Sequence, residues 1–286
     1  MRKDFCIFIL THGRPDRVIT FNSLKRSGYT GKIYLVIDNE DDSASKYYKN
    51  YGKENVLLFD KKAISLTFDT ADNFDDRRSI VYARNACFSL AQELGIKYFM
   101  QLDDDYTEFQ YRFDRLFFYN YRLIHNLDNI ISMFLKFLTT TNIKSISMAQ
   151  GGDFIGGSSG TFAKNICLKR KCMNTFICKT ENPINFIGAI NEDVNTYTRL
   201  ASTGDLFFTF NGVSIVQKQT QNNPSGMTDI YLDGGTYKKS FYTVMYHPSS
   251  VKIALMGPIS KRIHHRISWN NTVPKILREA VKNGQT

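Results

Sequence analysis

Long apolar runs are missing from this sequence of 286 residues, since none approaches the roughly 20 residues that cross a bilayer. The short apolar run at residues 5–10 leads into a polar turn rather than a small-residue cleavage site, so we predict no signal peptide. The five cysteines lack paired spacing, and Cys167, Cys172 and Cys178 have no fourth nearby ligand for zinc. We therefore expect a cytoplasmic protein that does not enter membranes.

Dinucleotide and P-loop signatures are also missing, because no GxGxxG motif follows the first predicted strand and no Walker lysine motif occurs. Acidic residues are outnumbered, with 27 Asp and Glu against 37 Lys and Arg, which gives a formal charge of +10. Such an excess favours a polyanionic partner such as nucleic acid. The candidate contacts fall in two basic clusters, with Lys169, Arg170 and Lys171 in the first and Arg262 and Arg266 in the second.

The first hundred residues alternate between short apolar segments and amphipathic ones, as strands and helices do. This βαβαβαβ order predicts an α/β fold in which helices cover a mostly parallel sheet. We expect residues 1–286 to form a single domain, with one half at 1–106 and the other, which ends in a basic tail, at 107–286. The predicted strands cover residues 4–10, 32–37, 56–59 and 98–102, and the predicted helices cover 14–27, 44–51 and 77–94.

After residue 105 the regular alternation stops. Aromatic residues crowd into 110–121, where they could stack on bases, although such a stripe more often packs in a core. Five glycines at 151–160 predict either a flexible loop over a substrate or a plain linker. The other predicted elements are a helix at 123–138, a strand at 145–149, a helix at 192–200, a hairpin of 206–210 and 214–217 around Asn211-Gly212, and a helix that follows the polar segment 222–235 and ends at Tyr246.

The acidic triplet Asp103, Asp104 and Asp105 follows the fourth predicted strand. Adjacent carboxylates repel one another and are poorly tolerated at a strand end unless a cation or a donor-rich ligand lies there. Hard divalent cations take oxygen ligands, and ligands of open α/β sheets bind at the carboxyl ends of strands. A solvated acidic turn is the alternative interpretation.

This triplet and the helix that carries Arg84-Asn85 together resemble the nucleotide-sugar half of GT-A glycosyltransferases. The resemblance implies a GT-A-like, Rossmann-type sandwich, a nucleotide-sugar donor such as a UDP-sugar, and a divalent metal, Mn²⁺ or Mg²⁺. It implies metal ligands at Asp103 and Asp105, with His264 and His265 as late ligands or, equally, as part of a basic surface tail. The donor-binding residues that it implies are Thr11, His12, Gly13, Arg14, Asp38, Arg84, Asp103 and Asp104.

Further along, Asn191-Glu192-Asp193 at a predicted helix start resembles the acidic motif that supplies the base in inverting members. An acceptor alcohol needs a positioned base. We choose Asp193, with Glu192 beside it, and expect the helix dipole to lower the pKa of Asp193 and keep it ionised. The alternative is that both carboxylates only cap the helix.

The segments 11–14, 37–40, 83–85 and 103–106 occur together with 234–241 and 264–269, and this set resembles the TET-associated glycosyltransferases of bacteriophages. That resemblance implies transfer of a sugar to hydroxymethylpyrimidine, in particular 5-hydroxymethylcytosine, in phage DNA. Three alternatives stay open: a glycosyltransferase of surface polysaccharide synthesis, a nucleotidyltransferase, and a non-catalytic DNA-binding protein on a transferase scaffold. The oligomeric state does not follow from the sequence.

Overall fold

The computed structural model describes residues 1–70, 76–217, 227–256 and 261–272. The strands are β1 (Phe5–Leu10), β2 (Lys32–Asp38), β3 (Val56–Phe59), β4 (Tyr98–Asp103), β5 (Tyr106–Phe113), β6 (Tyr119–Leu123), β7 (Ser145–Ala149), β8 (Leu168–Lys169), β9 (Phe176–Lys179), β10 (Phe207–Gln217), β11 (Val251–Met256) and β12 (Arg262–Ile267). The α-helices are α1 (Ile19–Arg26), α2 (Ala44–Tyr51), α3 (Lys61–Ser65), α4 (Val81–Glu93), α5 (Leu127–Thr141), α6 (Glu192–Ser202), α7 (Met227–Tyr246) and α8 (Trp269–Thr272).

The first ten strands form one sheet in the order β3-β2-β1-β4-β9-β7-β10-β5-β6, with β8 beside β10. Strands β1 to β4 pair in parallel, whereas β9 is antiparallel to both of its neighbours. Strands β7 and β10 therefore run in the direction of the first four. The prediction of an α/β fold with a mostly parallel sheet is confirmed, and the carboxyl ends of β1, β2 and β4 meet at one edge.

Strand β1 is buried on both faces, as a central strand of a covered parallel sheet is expected to be. Phe5, Ile7 and Ile9 pack in the layer that contains α1, α2 and α5. Cys6 and Phe8 pack in the opposite layer, with α4 and α6. Two apolar layers thus fix the sheet from both sides and hold its carboxyl edge in place.

The predicted hairpin around Asn211-Gly212 is wrong, because β10 continues through these residues and only its pairing with β7 shifts there. The buried Asn211 side chain accepts a hydrogen bond from the Cys167 amide at 2.6 Å and donates to the carbonyls of Phe162 and Asn165 at 2.6 and 2.7 Å. Asn-Gly predicts a turn from local preference alone. Here the tertiary hydrogen bonds of Asn211 hold the extended strand instead.

Other element bounds differ from the predictions. The helix predicted at 14–27 begins only at Ile19, because the Arg14 amide donates to the Tyr47 hydroxyl at 2.8 Å and residues 14–17 form a turn. The helix predicted at 77–94 corresponds to α4. The helix predicted at 123–138 corresponds to α5, which starts later because residues 119–123 form β6. Helix α7 starts inside the polar segment 222–235, and strands β5 and β6 were not predicted.

The C-terminal part of the described chain brings β12 to the carboxyl edge. Strands β11 and β12 pair as an antiparallel ribbon that packs on α7. Ser240 on α7 donates to the Ile263 carbonyl at 3.0 Å, and the Tyr242 hydroxyl accepts from the Ala189 amide and donates to the Thr70 carbonyl, both at 3.0 Å. No helix in the described ranges has the length and apolar character that a membrane span requires.

Candidate active site

A cavity of about 600 Å³ opens at the carboxyl edge of the sheet. The loop after β1, the ends of β2 and β4, the first turns of α4 and α6, and β12 all contribute to its walls. The sequence-predicted residues among its lining are Thr11, His12, Arg14, Asp38, Arg84, Asp103, Asp104, Asp105, Glu192, Asp193, His264 and His265. Except for Gly13, every residue predicted for the donor, the metal and the base thus lines one cavity.

Asp38 at the end of β2 anchors one side of this cavity. Its Oδ2 lies 2.8 Å from Nδ1 of His12 and 3.3 Å from Nζ of Lys61. Burial alone would raise the pKa of Asp38, but the hydrogen bond from His12 and the charge of Lys61 outweigh it and lower that pKa. The hydrogen bond to Asp38 in turn raises the pKa of His12. Sequence reasoning missed Lys61, whose side chain is buried beside Asp38 only because α3 begins where β3 ends.

Gly13 does not line the cavity, but it shapes the loop that does. Its amide donates to Oδ2 of Asp41 at 2.7 Å, and its φ of 66° is left-handed. A Cβ at this position would meet nothing within 4 Å, so the backbone angle, and not a lack of room, favours glycine.

Asp104 points into the protein, away from the two carboxylates beside it. Its Oδ2 accepts from Thr11 Oγ1 at 2.7 Å and its Oδ1 accepts from Arg14 Nη1 at 3.2 Å. The Thr11 hydroxyl also lies 2.9 Å from the hydroxyl of Tyr47. Asp104 thus fixes the loop after β1 to the end of β4.

Arg84 is the central cation of the site and is only 1% exposed. Its Nε donates to Glu192 Oε1 at 2.8 Å, and its Nη2 donates to Asp103 Oδ1 at 3.0 Å. Burial disfavours its charge, but Asp103 and Glu192 overcome this effect and raise its pKa. Nη1 is also buried and has no hydrogen-bond partner among the described residues. The guanidinium lies 5.3 Å from the centroid of the Phe176 ring and 5.9 Å from that of Phe186.

Asp103 and Asp105 carry a charge that the described residues neutralise only in part. Burial raises the pKa of Asp103 to about 6 against the attraction of Arg84. Burial and the neighbouring charges of Asp103 and Asp104 raise the pKa of Asp105 to about 7. Within the described chain, Asp105 makes no side-chain hydrogen bond or ion pair with another residue. A further cation at this point would stabilise both carboxylates in their ionised form.

Asp193 in the first turn of α6 has a pKa raised to about 7, chiefly by burial and by the charge of Glu192. The expectation that the helix dipole would lower this pKa is therefore wrong, because Asp193 is 6% exposed and loses its hydration. Its Oδ1 accepts from the Val194 amide at 2.7 Å. A carboxylate with a pKa near neutrality suits a general base.

His264 and His265 lie side by side on β12, with their ring centroids 4.4 Å apart. Burial and the charges of His264 and Lys239 lower the pKa of His265 to about 4, so its imidazole is neutral at pH 7 and able to ligate a metal. The predicted four-residue metal set does not converge, however. Among the described residues, no three His, Cys, Asp or Glu side chains form a group that could hold a metal ion.

The predicted nucleic-acid contacts lie outside the cavity lining. Arg170 and Arg266 are exposed. Lys171 pairs with Asp153 and is therefore already neutralised. Nζ of Lys169 lies 5.6 Å from the centroid of the Phe162 ring. The backbone of Arg262 belongs to β12, but its side chain falls outside the described part.

With the geometry established, comparison with known proteins identifies the family. The sequence model of the TET-associated glycosyltransferases matches residues 5–226. The chain belongs to the TET-associated glycosyltransferase family. The resemblance to this family that the sequence motifs indicate is confirmed. A search of curated proteins found no match to the sequence.

Several solved glycosyltransferase structures are similar in fold. The mannosyltransferase PcManGT from Pyrobaculum calidifontis, in complex with GDP-Man and Mn²⁺, has a TM-score of 0.48 and 13% identity, with 78% of this chain and 59% of that chain covered. Glucosyl-3-phosphoglycerate synthase from Mycobacterium tuberculosis, in complex with Mg²⁺ and UDP, has a TM-score of 0.46 and 10% identity, covering 92% and 87%. S. aureus TarS has a TM-score of 0.44 and 11% identity, covering 76% and 37%. The chain thus spans less than two thirds of the length of TarS and PcManGT.

Proposed function

We propose that this glycosyltransferase moves a sugar from a UDP-sugar to 5-hydroxymethylcytosine in DNA, with a divalent metal on the donor diphosphate. The observation that carries the proposal is one cavity in which Asp103 and Asp105 lie together with the candidate base Asp193. Membership of the TET-associated family and the charge of +10 support a DNA acceptor. Residues 1–106 would hold the donor, and residues 107–286 would hold the acceptor.

The donor fits the side of the cavity formed by the first half of the chain. Asp38, with His12 and Lys61 around it, offers a fixed carboxylate for the hydroxyls or ring N–H groups of a nucleoside. Arg84 and Arg14 both line this side of the cavity. These two cations suit the negative charge of a diphosphate.

The carboxylates fit a metal that the substrate helps to bind. Mg²⁺ and Mn²⁺ sites at nucleotide phosphates use one or two protein carboxylates, with phosphate oxygens and water completing the shell. Asp103 and Asp105, which both line the cavity, would supply such a pair. When bound, the metal would neutralise charge that develops on the leaving diphosphate.

Asp193 would act on the acceptor. The hydroxymethyl group attacks the anomeric carbon as the bond to the nucleoside diphosphate breaks, and its proton passes to the Asp193 carboxylate. The alcohol has a pKa far above 7, so this transfer needs a base at the point of attack. Glu192 accepts a hydrogen bond from Arg84 at 2.8 Å, whereas Asp193 does not, so Asp193 is the better candidate for the base.

Mass analysis of acceptors after incubation with a panel of nucleotide sugars tests the proposal. We expect duplexes that contain hydroxymethylcytosine to gain one sugar when a UDP-sugar is the donor. A chelator should block this transfer reversibly. Asp105→Asn, which removes a candidate ligand charge without changing side-chain size, should abolish transfer in the same assay. If sugar is transferred to a lipid-linked or saccharide acceptor and never to DNA from any donor, the protein acts in surface polysaccharide synthesis and the DNA acceptor is wrong. Full activity of the metal-free protein would show that transfer does not require a metal.

A further inference from the structure

The hairpin of β5 and β6 carries large apolar side chains that nothing in the described chain covers. Leu116, Phe117 and Phe118 at its turn are 74%, 70% and 67% exposed, and Tyr121 on β6 is 67% exposed. Of the two interpretations of the aromatic stripe, core packing holds for Phe113 but not for the exposed Phe117, Phe118 and Tyr121. Exposed apolar clusters of this kind mark interaction sites.

The turn at 114–118, here called the hairpin tip, is built to present these side chains. Oδ1 of Asp114 accepts from the amides of Leu116 and Phe118 at 2.9 and 3.0 Å, and the Asp114 amide donates to the Phe118 carbonyl at 3.0 Å. Phe117 adopts a left-handed φ of 64°, which is costly for a bulky residue. A strained conformation that is held by specific hydrogen bonds points to a use for the exposed rings.

Two basic side chains lie on the hairpin. Arg115 lies in the turn and Arg122 on β6, and both are exposed. The guanidinium of Arg122 lies 5.5 Å from the ring centroid of Tyr111. The carboxylate of Asp114 is occupied by the amides of the turn. The apolar tip is therefore accompanied by positive charge, a combination that fits a polyanion with stacking surfaces.

A row of ring contacts joins the hairpin to the first basic cluster. Tyr119 of β6 stacks on Phe154, with centroids 5.5 Å apart, and Phe154 meets Phe162 at 5.6 Å. Nζ of Lys169 lies 5.6 Å from the Phe162 ring, and Arg170 beside it is exposed. Within this region Asp153 is matched by Lys171. A small buried aromatic cluster thus connects the base of the hairpin to the segment that carries the first basic cluster.

We propose that the hairpin tip is a DNA contact in which Phe117, Phe118 and Leu116 stack on bases or wedge between them. Arg115, Arg122 and the first basic cluster would neutralise the adjacent phosphates. The inference rests on the proposed DNA acceptor and adds the surface that recognises it. Apolar wedges between base steps kink a duplex and weaken its stacking, and a hydroxymethylated base must reach a cavity that is set into the protein.

Strand β5 connects the acidic triplet of the cavity to the hairpin tip. It begins at Tyr106, directly after the triplet, and its eight residues end at Phe113. Eight residues of strand span about 26 Å at roughly 3.3 Å each, which corresponds to about eight base pairs. A duplex that contacts both regions would therefore bridge at most about this length between them.

Direct DNA binding tests this inference separately from catalysis. The test variant combines Leu116→Ser, Phe117→Asn and Phe118→Ser, since asparagine tolerates a left-handed φ. The control is Leu66→Ser, which changes an 83% exposed leucine outside the hairpin. Fluorescence anisotropy with duplex and single-stranded DNA should show a loss of about 5- to 150-fold for the test variant, equal to 1–3 kcal/mol of stacking. The control should match the wild type, and UDP binding should be unchanged in both proteins.

Salt dependence separates stacking from charge. The test variant should keep the wild-type slope of log affinity against log salt, whereas Arg115→Gln with Arg122→Gln should lower that slope by up to about 1.8. The single variant Phe118→Ser leaves the hydrogen bonds of the turn available, so it should also lose DNA affinity, but by less. It tests the inference even if the triple variant misfolds.

Three results would overturn the inference, and they are distinguishable. If the wild type glycosylates DNA and the triple variant binds DNA within about twofold of it, the hairpin is not the contact and the proposed function stands. If the wild type neither binds nor modifies DNA, both the proposed function and the inference fail. If the triple variant loses binding to anionic vesicles or loses self-association while its DNA affinity is unchanged, the tip serves a membrane or a second copy of the chain.

Discussion

The cavity and the hairpin tip differ in whether their charged side chains have partners within the protein. Inside the cavity, Asp38, Asp104 and Asp103 each have a cationic partner within 3.3 Å. Around the tip, Arg115 and Arg122 project into solvent. These three carboxylates are held in place before a small ligand binds, so little has to move, and Asp105 is left for a further cation. A surface with excess charge depends on its partner for the counter-charge, so its affinity must vary with salt.

The largest expected effect lies in the cavity, at the base. Asp193→Asn should lower turnover by roughly 10²- to 10⁴-fold, because the variant keeps the shape of the side chain but cannot accept the proton. Donor affinity should remain near the wild-type value in calorimetric titration with UDP. A variant that keeps normal turnover but loses donor affinity would show that Asp193 binds the donor. A variant that fails to fold would indicate that Asp193 instead caps helix α6.

The two regions should also differ sharply in what an arginine contributes to stability. Arg84→Met should cost about 3–5 kcal/mol in the free energy of unfolding, because Asp103 and Glu192 would be left buried without their cation. The matched change at the exposed Arg122, also to Met, should alter stability by less than about 0.5 kcal/mol. Urea unfolding of both variants measures the contrast. Equal effects would contradict the assignment of Arg84 as the structural cation of the site.

The pH dependence of turnover sharpens the assignment of the base. The pKa of Asp193 is raised to about 7 by burial and by Glu192, and only the carboxylate can accept a proton. Turnover should therefore rise about tenfold per pH unit below pH 7 and level off above it. Single-turnover rates between about pH 5 and about pH 8 measure this profile. A rate that is flat over this range would assign the proton transfer to another group.

The smallest expected effect concerns His12, whose side chain is 51% exposed. The hydrogen bond to Asp38 raises the pKa of His12 above its unfolded value of about 6.5. The stabilisation is therefore complete below about pH 6.5 and is lost as pH rises through the folded pKa. His12→Gln should cost less than about 1 kcal/mol at low pH, after solvent screening, and nothing once His12 is neutral. A cost that does not change with pH in urea unfolding would contradict the ion pair.

The sequence predicted those site residues that follow directly from a strand end. Asp38 closes β2 and Asp103 closes β4, so the alternation of strands and helices was enough to place both at one edge. Lys61 was not predictable, because its role depends on the packing of α3 beside Asp38 and leaves no local pattern. The pKa of Asp193 was predicted in the wrong direction, since the helix dipole follows from local structure whereas burial depends on tertiary packing.

The region after the triplet was predicted less well for a related reason. Asn211-Gly212 has a strong local preference for a turn, yet contacts between Asn211 and the chain at 162–167 keep β10 extended. Aromatic residues in β5, in β6 and at the hairpin tip look alike in sequence, whether they are buried like Phe113 or exposed like Phe118. Burial on an antiparallel strand depends on its partners, which only the tertiary structure supplies.

The most direct test of the account compares two duplexes of one sequence, with and without hydroxymethylcytosine, in the same reaction. The account predicts that both bind with similar affinity and similar salt dependence, because phosphates and stacked bases are common to them. Mass analysis should then show a sugar only on the modified duplex, and on neither duplex when Asp193→Asn replaces the wild type. Sugar on the unmodified duplex, or on neither duplex with the wild-type protein and every donor, would contradict it.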